Sequence, residues 1–364
     1  MFTLPLHFPR DTGENEATGL AAKSAPCVKK FELDDRGAKF DAWAIVFSRP
    51  RFSNFYPCRC LTMPELPDIT IYIEALKARL LNQPVEKIRL ASPFLLRTFE
   101  PPIRVVEGKK ILGFQRIGKR VVFILESELF LVFHLMITGR FHWKKRGVAV
   151  PRKYGHGAFD FPTGTLLVTE IGTKKRASLH VVQGRENLAH HDPQGLEVFD
   201  ADLKTFRAAL TRENHTLKRT LTDPHVFSGI GNAYSDEILH RARLSPVKLT
   251  KQLGEDEITT LYRATRGCLR EWIERLRKDT GQNFPERVTA FREDMAVHGK
   301  YRKPCPVCGA PVQRIVYAEN ETHYCAKCQT GGKLLADRSL SRLLKDDWPR
   351  SLEELDEVKR ERRA

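Results

Sequence analysis

No stretch of the 364-residue chain approaches the length and apolarity of a membrane span, which argues against an integral membrane protein. The first 62 residues also lack the charged start, apolar run and small-residue cleavage site of a secretory signal. Acidic residues are in short supply: 45 Asp and Glu face 61 Lys and Arg, giving a formal net charge of +16. That balance favours a polyanionic partner such as nucleic acid, although ribosomal and membrane-surface proteins share it. The eight cysteines, Cys27, Cys58, Cys60, Cys268, Cys305, Cys308, Cys325 and Cys328, do not read as a disulfide framework. Four of them form two C-x-x-C pairs, which points instead to zinc in a reducing compartment.

What is present is an ordinary globular composition, 41% hydrophobic and 29% charged, in a chain long enough for two or three domains. Residues 1–62 scatter Pro, Gly and charge without sustained periodicity and read as an extension, with one strand expected over residues 40–47. From residue 63 the pattern sharpens. Ile69, Ile73, Leu76 and Leu80 predict a helix over residues 69–81 with a single apolar face. Residues 105–182 are rich in β-branched and aromatic residues and broken at Gly113, Gly118 and Gly139, with a Pro-Thr-Gly turn at Pro162. They predict a β-sandwich of about eight strands covered by that helix. Beyond residue 196 the period becomes helical, over residues 202–212, 216–221, 232–243, 255–278 and 286–297. The fold class is α+β, with an N-terminal sandwich domain at 63–195 and a helical domain at 196–300. A zinc finger at 301–330 and a charged tail at 331–364 complete the chain, and the tail is expected to be helical over 338–345 and 352–364.

Chemistry concentrates in Met63-Pro64-Glu65-Leu66-Pro67-Asp68. If translation begins at Met63 and the methionine is removed, Pro64 carries a secondary amine with a pKa near neutrality, roughly 7.7–8, that is nucleophilic at working pH. Its attack on a sugar C1′ gives an iminium that stays cationic and drives elimination, with Glu65 alongside as acid and base. The plainer reading is a helix start, where Pro67 and Asp68 are favoured in any case. Further along, Phe227-Ser228-Gly229-Ile230-Gly231-Asn232 lies between two helices, and Asn232 is expected to cap the second so that a phosphate can sit on its start. Cys305-Pro306-Val307-Cys308 and Cys325-Ala326-Lys327-Cys328, sixteen residues apart, predict one closed four-cysteine zinc site on two knuckles, structural and not catalytic.

The MPELPD segment, the GIGNAYSDEILHRARLSP stretch and the paired C-x-x-C motifs together resemble the formamidopyrimidine-DNA glycosylase and endonuclease VIII family, over residues 63 to 328. The resemblance implies a bifunctional DNA glycosylase and AP lyase of base-excision repair that acts on damaged double-stranded DNA. It would be a monomer in the bacterial cytoplasm at the nucleoid. Pro64 and Glu65 inherit the catalytic roles, and the extension at 1–62 would then be absent from the active enzyme, through a start codon placed too early or through processing. Lys119, otherwise an ordinary hairpin charge, inherits a phosphate contact beside the extruded nucleotide. Asn232 inherits another, with Lys218 on the same basic face. Met136 and Ile137 stand where the family has glycine and a gap-filling methionine, so an apolar wedge is retained. Lys174, Lys175 and Arg176 keep the charge of a second wedge loop but not its phenylalanine. Asn320 stands where the family carries the finger's phosphate-binding arginine. Residues 278–290 match the segment that caps the lesion. The competing reading is a zinc-containing nucleic-acid-binding protein without catalysis, since zinc, a glycine loop and basic charge need no reaction.

Overall fold

The computed structural model describes residues 63–172, 174–286, 288, 292–317, 320–335 and 349–361. The strand expected at 40–47 and the helix expected at 338–345 lie outside these residues.

The first element, α1 (Leu66–Leu80), starts where Asp68 Oδ2 accepts the Glu65 backbone N–H at 3.0 Å, so the third residue of the helix caps its own start. It buries two faces, not one. Ile69, Tyr72, Leu76 and Leu80 enter the core of the sandwich, whereas Leu66 and Ile71 enter that of the helical domain. Tyr72 therefore takes the place expected for Ile73, which is only half-buried.

Eight antiparallel strands follow: β1 (Lys87–Leu90), β2 (Ile111–Ile117), β3 (Arg120–Leu125), β4 (Leu129–His134), β5 (Gly139–Lys144), β6 (Gly155–Phe161), β7 (Gly164–Glu170) and β8 (Ser178–Gln183). They form two four-stranded sheets, ordered β1-β6-β7-β5 and β2-β3-β4-β8. Inward-facing Phe123, Phe133, Phe141 and Phe159 fill the space between the sheets with edge-to-face or tilted ring contacts, a large apolar area with defined geometry. Two-residue turns link β2 to β3 and β6 to β7. In the first, Gly118 at φ +58° supplies the left-handed backbone that such turns require.

The helical part comprises α2 (Leu203–Thr211), α3 (Leu217–Thr222), α4 (Asn232–Ala242) and α5 (Glu255–Thr280). Asp202 and Thr216 cap α2 and α3 by accepting the Thr205 and Arg219 N–H groups. No described residue between 286 and 297 is helical, contrary to the apolar spacing there. The spacing has another cause: Val288 is buried in the sandwich core, Met295 in the helical core and Val297 in the finger core. A connector that serves three cores imitates the period of one face.

The finger pairs β9 (Val312–Tyr317) with β10 (Asn320–Cys325) and runs into the short α6 (Ala326–Thr330). The last described helix, α7 (Leu352–Glu361), brings Leu352 and Leu355 onto Ile315, Tyr324 and Leu334. Leu334 N donates to Arg350 O at 2.9 Å, so the tail braces the back of the finger hairpin.

Candidate active site and zinc centre

Glu65 is 1% exposed, and its carboxylate sits on the start of α4, 166 residues away in the chain. Oε2 accepts from Gly231 N at 2.6 Å and from Tyr234 N at 3.2 Å, and Oε1 accepts from Ala233 N at 2.8 Å. These are groups that a helix start leaves without partners, and an anion is favoured there. The expectation for this helix is thereby corrected: Gly231, not Asn232, is the cap residue, and the anion on the helix start is the protein's own carboxylate.

Lys119 reaches the same point from the turn between β2 and β3. A Cβ on residue 231 would fall 2.5 Å from Lys119 Nζ and 2.6 Å from Glu65 Oε1, so any side chain there must push one of these groups aside. Burial raises the Glu65 pKa and lowers that of Lys119, and each opposes the other's shift by mutual attraction. Arg116 ties this turn to the glycine loop: its Nη1 donates to Gly118 O at 2.7 Å and to Ser228 Oγ at 3.0 Å, and Nη2 pairs with Glu197. Pro64 is buried next to Glu65. In the 364-residue chain its nitrogen is acylated by Met63 and is an amide.

Asn232 does not point to open solvent; its Nδ2 donates to Glu321 O of the finger at 2.8 Å. Lys218 Nζ donates to Asn232 O at 2.6 Å and to Asp236 Oδ1 at 2.5 Å. Asp236 Oδ2 in turn lies 2.7 Å from His298 Nδ1 and accepts His323 N at 3.1 Å. Burial alone would raise the Asp236 carboxyl, but Lys218, His298 and His323 hold it well below the usual range. The donor atoms of Asp236, His298 and His323 lie within 4.8 Å of one another. The Lys218 ammonium already neutralises the carboxylate, so the group is an ion-pair hub and not a cation site. Sequence reading missed this hub, because nothing in the spacing of residues 218, 236, 298 and 323 links them.

The two loops expected to wedge the duplex form one bonded unit. Met136 and Ile137 are half-buried in the turn between β4 and β5, where Met136 takes φ +52°, a region that favours glycine. Thr138 Oγ1 donates to Glu170 Oε1 at 3.3 Å and accepts Gly172 N at 3.3 Å. The Glu170 carboxylate also takes the Arg176 and Ala177 N–H groups. These bonds run within the unit, and none of them reaches Glu65. Lys175 Nζ turns back to Glu170 O at 2.5 Å, whereas Lys174 and Arg176 are exposed. On the finger, the Asn320 backbone pairs with Tyr317, and Arg314 is engaged by Glu321 at 3.0 Å and by the Tyr301 ring.

Cys305, Cys308, Cys325 and Cys328 bring their sulfurs together, with Sγ to Sγ distances of 3.9 Å for 305 to 328 and 3.4 Å for 308 to 325. Zinc–sulfur bonds of about 2.3 Å in a tetrahedron place sulfurs roughly 3.8 Å apart, so the four residues fit one structural zinc ion with no open position. His240 Nε2 lies 3.3 Å from Cys305 Sγ and ties the centre to α4.

Three family models match successive parts of the chain. The formamidopyrimidine-DNA glycosylase N-terminal domain matches residues 63–192, its H2TH domain residues 192–283, and a zinc finger found in FPG and IleRS residues 302–331. A formamidopyrimidine-DNA glycosylase of Thermus thermophilus is 34% identical over 281 residues, covering 74% of this chain and all of that protein. A formamidopyrimidine-DNA glycosylase-like protein of Mycobacterium tuberculosis is 40% identical over 153 residues, covering 42% of this chain and 93% of its own length. Among solved structures, Lactococcus lactis Fpg in complex with a THF-DNA and an inhibitor superposes with TM-score 0.66 at 27% identity, covering 73% of this chain and all of that one. The wild-type L. lactis protein with DNA containing an oxidized pyrimidine gives the same figures.

Proposed function

The chain belongs to the formamidopyrimidine-DNA glycosylase family, and on that premise we propose that it is a bifunctional glycosylase and AP lyase of base-excision repair. Its substrates would be oxidised or ring-opened bases in duplex DNA. The observation that carries the reading is the convergence of Glu65, Lys119 and Gly231 directly beside Pro64. A purely binding protein has no need to bury a lysine and a carboxylate against a helix start.

In this mechanism the damaged nucleotide swings out of the duplex, at a cost of a few kcal/mol that is lower for a badly paired base. The Pro64 amine attacks C1′ and displaces the base. Glu65 moves protons on the sugar during ring opening, and its raised pKa keeps the protonated form within reach. The iminium then withdraws electrons from the sugar, and successive β and δ eliminations cut the strand on both sides. Lys119, Asn232, Lys218 and the finger face would hold phosphates, with Met136 or Ile137 filling the gap and Lys174, Lys175 and Arg176 gripping the opposite strand. Zinc, held by the four cysteines, supplies folding energy to the hairpin and takes no part in the reaction.

Relatives support the substrate class, since L. lactis Fpg structures hold DNA with Fapy-dG and with an oxidized pyrimidine. No helix among the described residues is long and apolar enough to cross a membrane. A monomer at the bacterial nucleoid fits the same role. One observation favours the non-catalytic alternative: with residues 1–63 attached, Pro64 has no free amine. Strand products on duplexes carrying an oxidised base decide between them, because β,δ-elimination leaves phosphate at both ends of a one-nucleotide gap. Binding without any such gap, by a chain that starts at Pro64, would favour the binding protein.

A further inference from the structure

The outer face of the β2-β3-β4-β8 sheet carries a basic cluster that the proposed reaction leaves unused. Arg120 opposes His134 across β3 and β4, and His134 opposes Ser178 across β4 and β8. Side chains two residues apart on a strand share a face, so His180 stands beside this row, about 7 Å along β8. The 3₁₀ turn Ala189–His191 follows directly on Leu188, which packs on the same face with Val122, Val132 and Val182. It lays the His191 ring against that of His180, with centroids 4.7 Å apart.

Arg120, His134, His180 and His191 are half-buried, and none of their side chains makes a hydrogen bond among the described residues. The Arg120 guanidinium is near enough to disfavour a proton on each of the three rings. Further positive charge comes from Lys119 in the turn before β3, from exposed Arg97 beside β8, and from His190. The acid that offsets Arg120 is Asp192, at the end of the 3₁₀ turn. Like charges gathered in a half-buried place oppose one another, and every donor here is left for a partner from outside. An anion spanning Arg120 and the two stacked rings relieves both conditions. Arg120 follows Lys119 directly in the chain, so the cluster continues the surface on which Lys119 meets Glu65. A strand lying past Lys119 carries a phosphate at every nucleotide and brings a further one onto this face.

We propose that Arg120, His180 and His191 form a phosphodiester site for the strand that passes Lys119, and that the grip of this site tightens as pH falls. The inference rests on the reading of Lys119 as a phosphate contact. In the free protein, burial and the Arg120 charge keep both rings neutral near pH 7, with His180 pushed down to about 4. A phosphate within hydrogen-bond reach favours the charged ring. The complex therefore holds more protons than the free protein, and affinity rises as pH is lowered.

The test is equilibrium binding of the full chain to a duplex with a tetrahydrofuran abasic analogue, at about pH 8 and pH 6 and constant salt. Wild type should bind about tenfold more tightly at the lower pH, the size expected when one proton is taken up over part of that range. His180→Gln with His191→Gln should match wild type within about twofold at the higher pH, keep its melting temperature there, and lose most of the gain. No gain in wild type, or an equal gain in the double variant, would overturn the site. Neutral methylphosphonates, placed at one phosphate at a time, then identify the ligand. One position should weaken wild type about tenfold, the range for a hydrogen bond to a charged group, and weaken Arg120→Gln no further. If no position behaves in this way, the cluster does not hold a strand phosphate and the proposal falls. Failure of the underlying reading looks different: Lys119→Ala would then leave the salt dependence of binding unchanged, whatever the histidine variants do.

Discussion

Glu65 Oε2 accepts the Gly231 N–H at 2.6 Å, joining the first turn of the sandwich domain's helix to the start of α4 in the helical domain. The contact makes the acid of the proposed reaction part of the packing between two cores. Any side chain at residue 231 must push this carboxylate or Lys119 aside.

Gly231→Ala should therefore act on chemistry and stability together. The added methyl must displace Lys119 Nζ or the Glu65 carboxylate, and overpacking of this kind costs about 1–3 kcal/mol. Base excision should fall sharply while zinc content is unchanged. Thermal unfolding, metal analysis and excision assays on one preparation check this, and wild-type excision by the variant would contradict it.

Glu65→Gln keeps the size of the side chain but presents one oxygen and one NH₂ group to three N–H donors. At least one buried donor loses its partner, for about 1–3 kcal/mol of stability. Excision should drop by about 10²–10⁴, the general acid–base factor. Wild-type turnover on oxidised-base oligonucleotides would remove Glu65 from the mechanism.

Much of this was legible in the sequence, for local reasons. The paired C-x-x-C motifs, the proline and acid of MPELPD and the glycine loop each keep their chemistry within a few residues. Runs of β-branched and aromatic residues broken at glycines made the strands plain. What escaped reading depends on contacts between distant residues. Nothing near Glu65 says that its carboxylate caps a helix at residue 231, and Asn232 was the natural cap by residue type. Asp236, His298 and His323 meet only after the finger docks on α4. Residues 286–297 looked helical because their apolar side chains serve three cores at helix-like intervals.

Loss of zinc should undo that docking. Cys308→Ser is expected to release the metal and loosen the hairpin, whose Glu321 O and His323 N contact Asn232 and Asp236. DNA affinity should fall, while residual Schiff-base formation on a pre-made abasic site persists, since zinc does not take part in it. Zinc loss with undiminished DNA binding would show that the hairpin makes no DNA contact.

Acid should destabilise the sandwich through two of its histidines. Burial pushes His134 and His180 down to about 4, so the fold holds them neutral while the unfolded chain protonates them near 6.5. The unfolded state thus binds more protons between pH 6.5 and 4, and stability falls as pH drops through that window. Solvent screening at these half-buried sites leaves about 1–2 kcal/mol per histidine. Melting temperatures at pH 7 and pH 4.5 should differ accordingly, and His134→Asn with His180→Asn should flatten the dependence. An unchanged slope in the double variant would assign the effect elsewhere.

Lys119→Ala should weaken binding to damaged DNA and reduce the salt slope by about one, the signature of one lost phosphate contact. It should also lower the excision rate, because the ammonium sits against Glu65. Titrations at several salt concentrations would show an unaltered slope if Lys119 never meets a phosphate.

The central claim is that the Pro64 nitrogen is the nucleophile, and borohydride trapping tests it most directly. A chain beginning at Pro64 and the 364-residue chain would each be incubated with a duplex containing an abasic site, then reduced. The shorter chain is expected to give a covalent protein–DNA adduct, with the modified residue mapped to Pro64, and the longer one none. Equal trapping by both chains, or an adduct on a lysine, would contradict it.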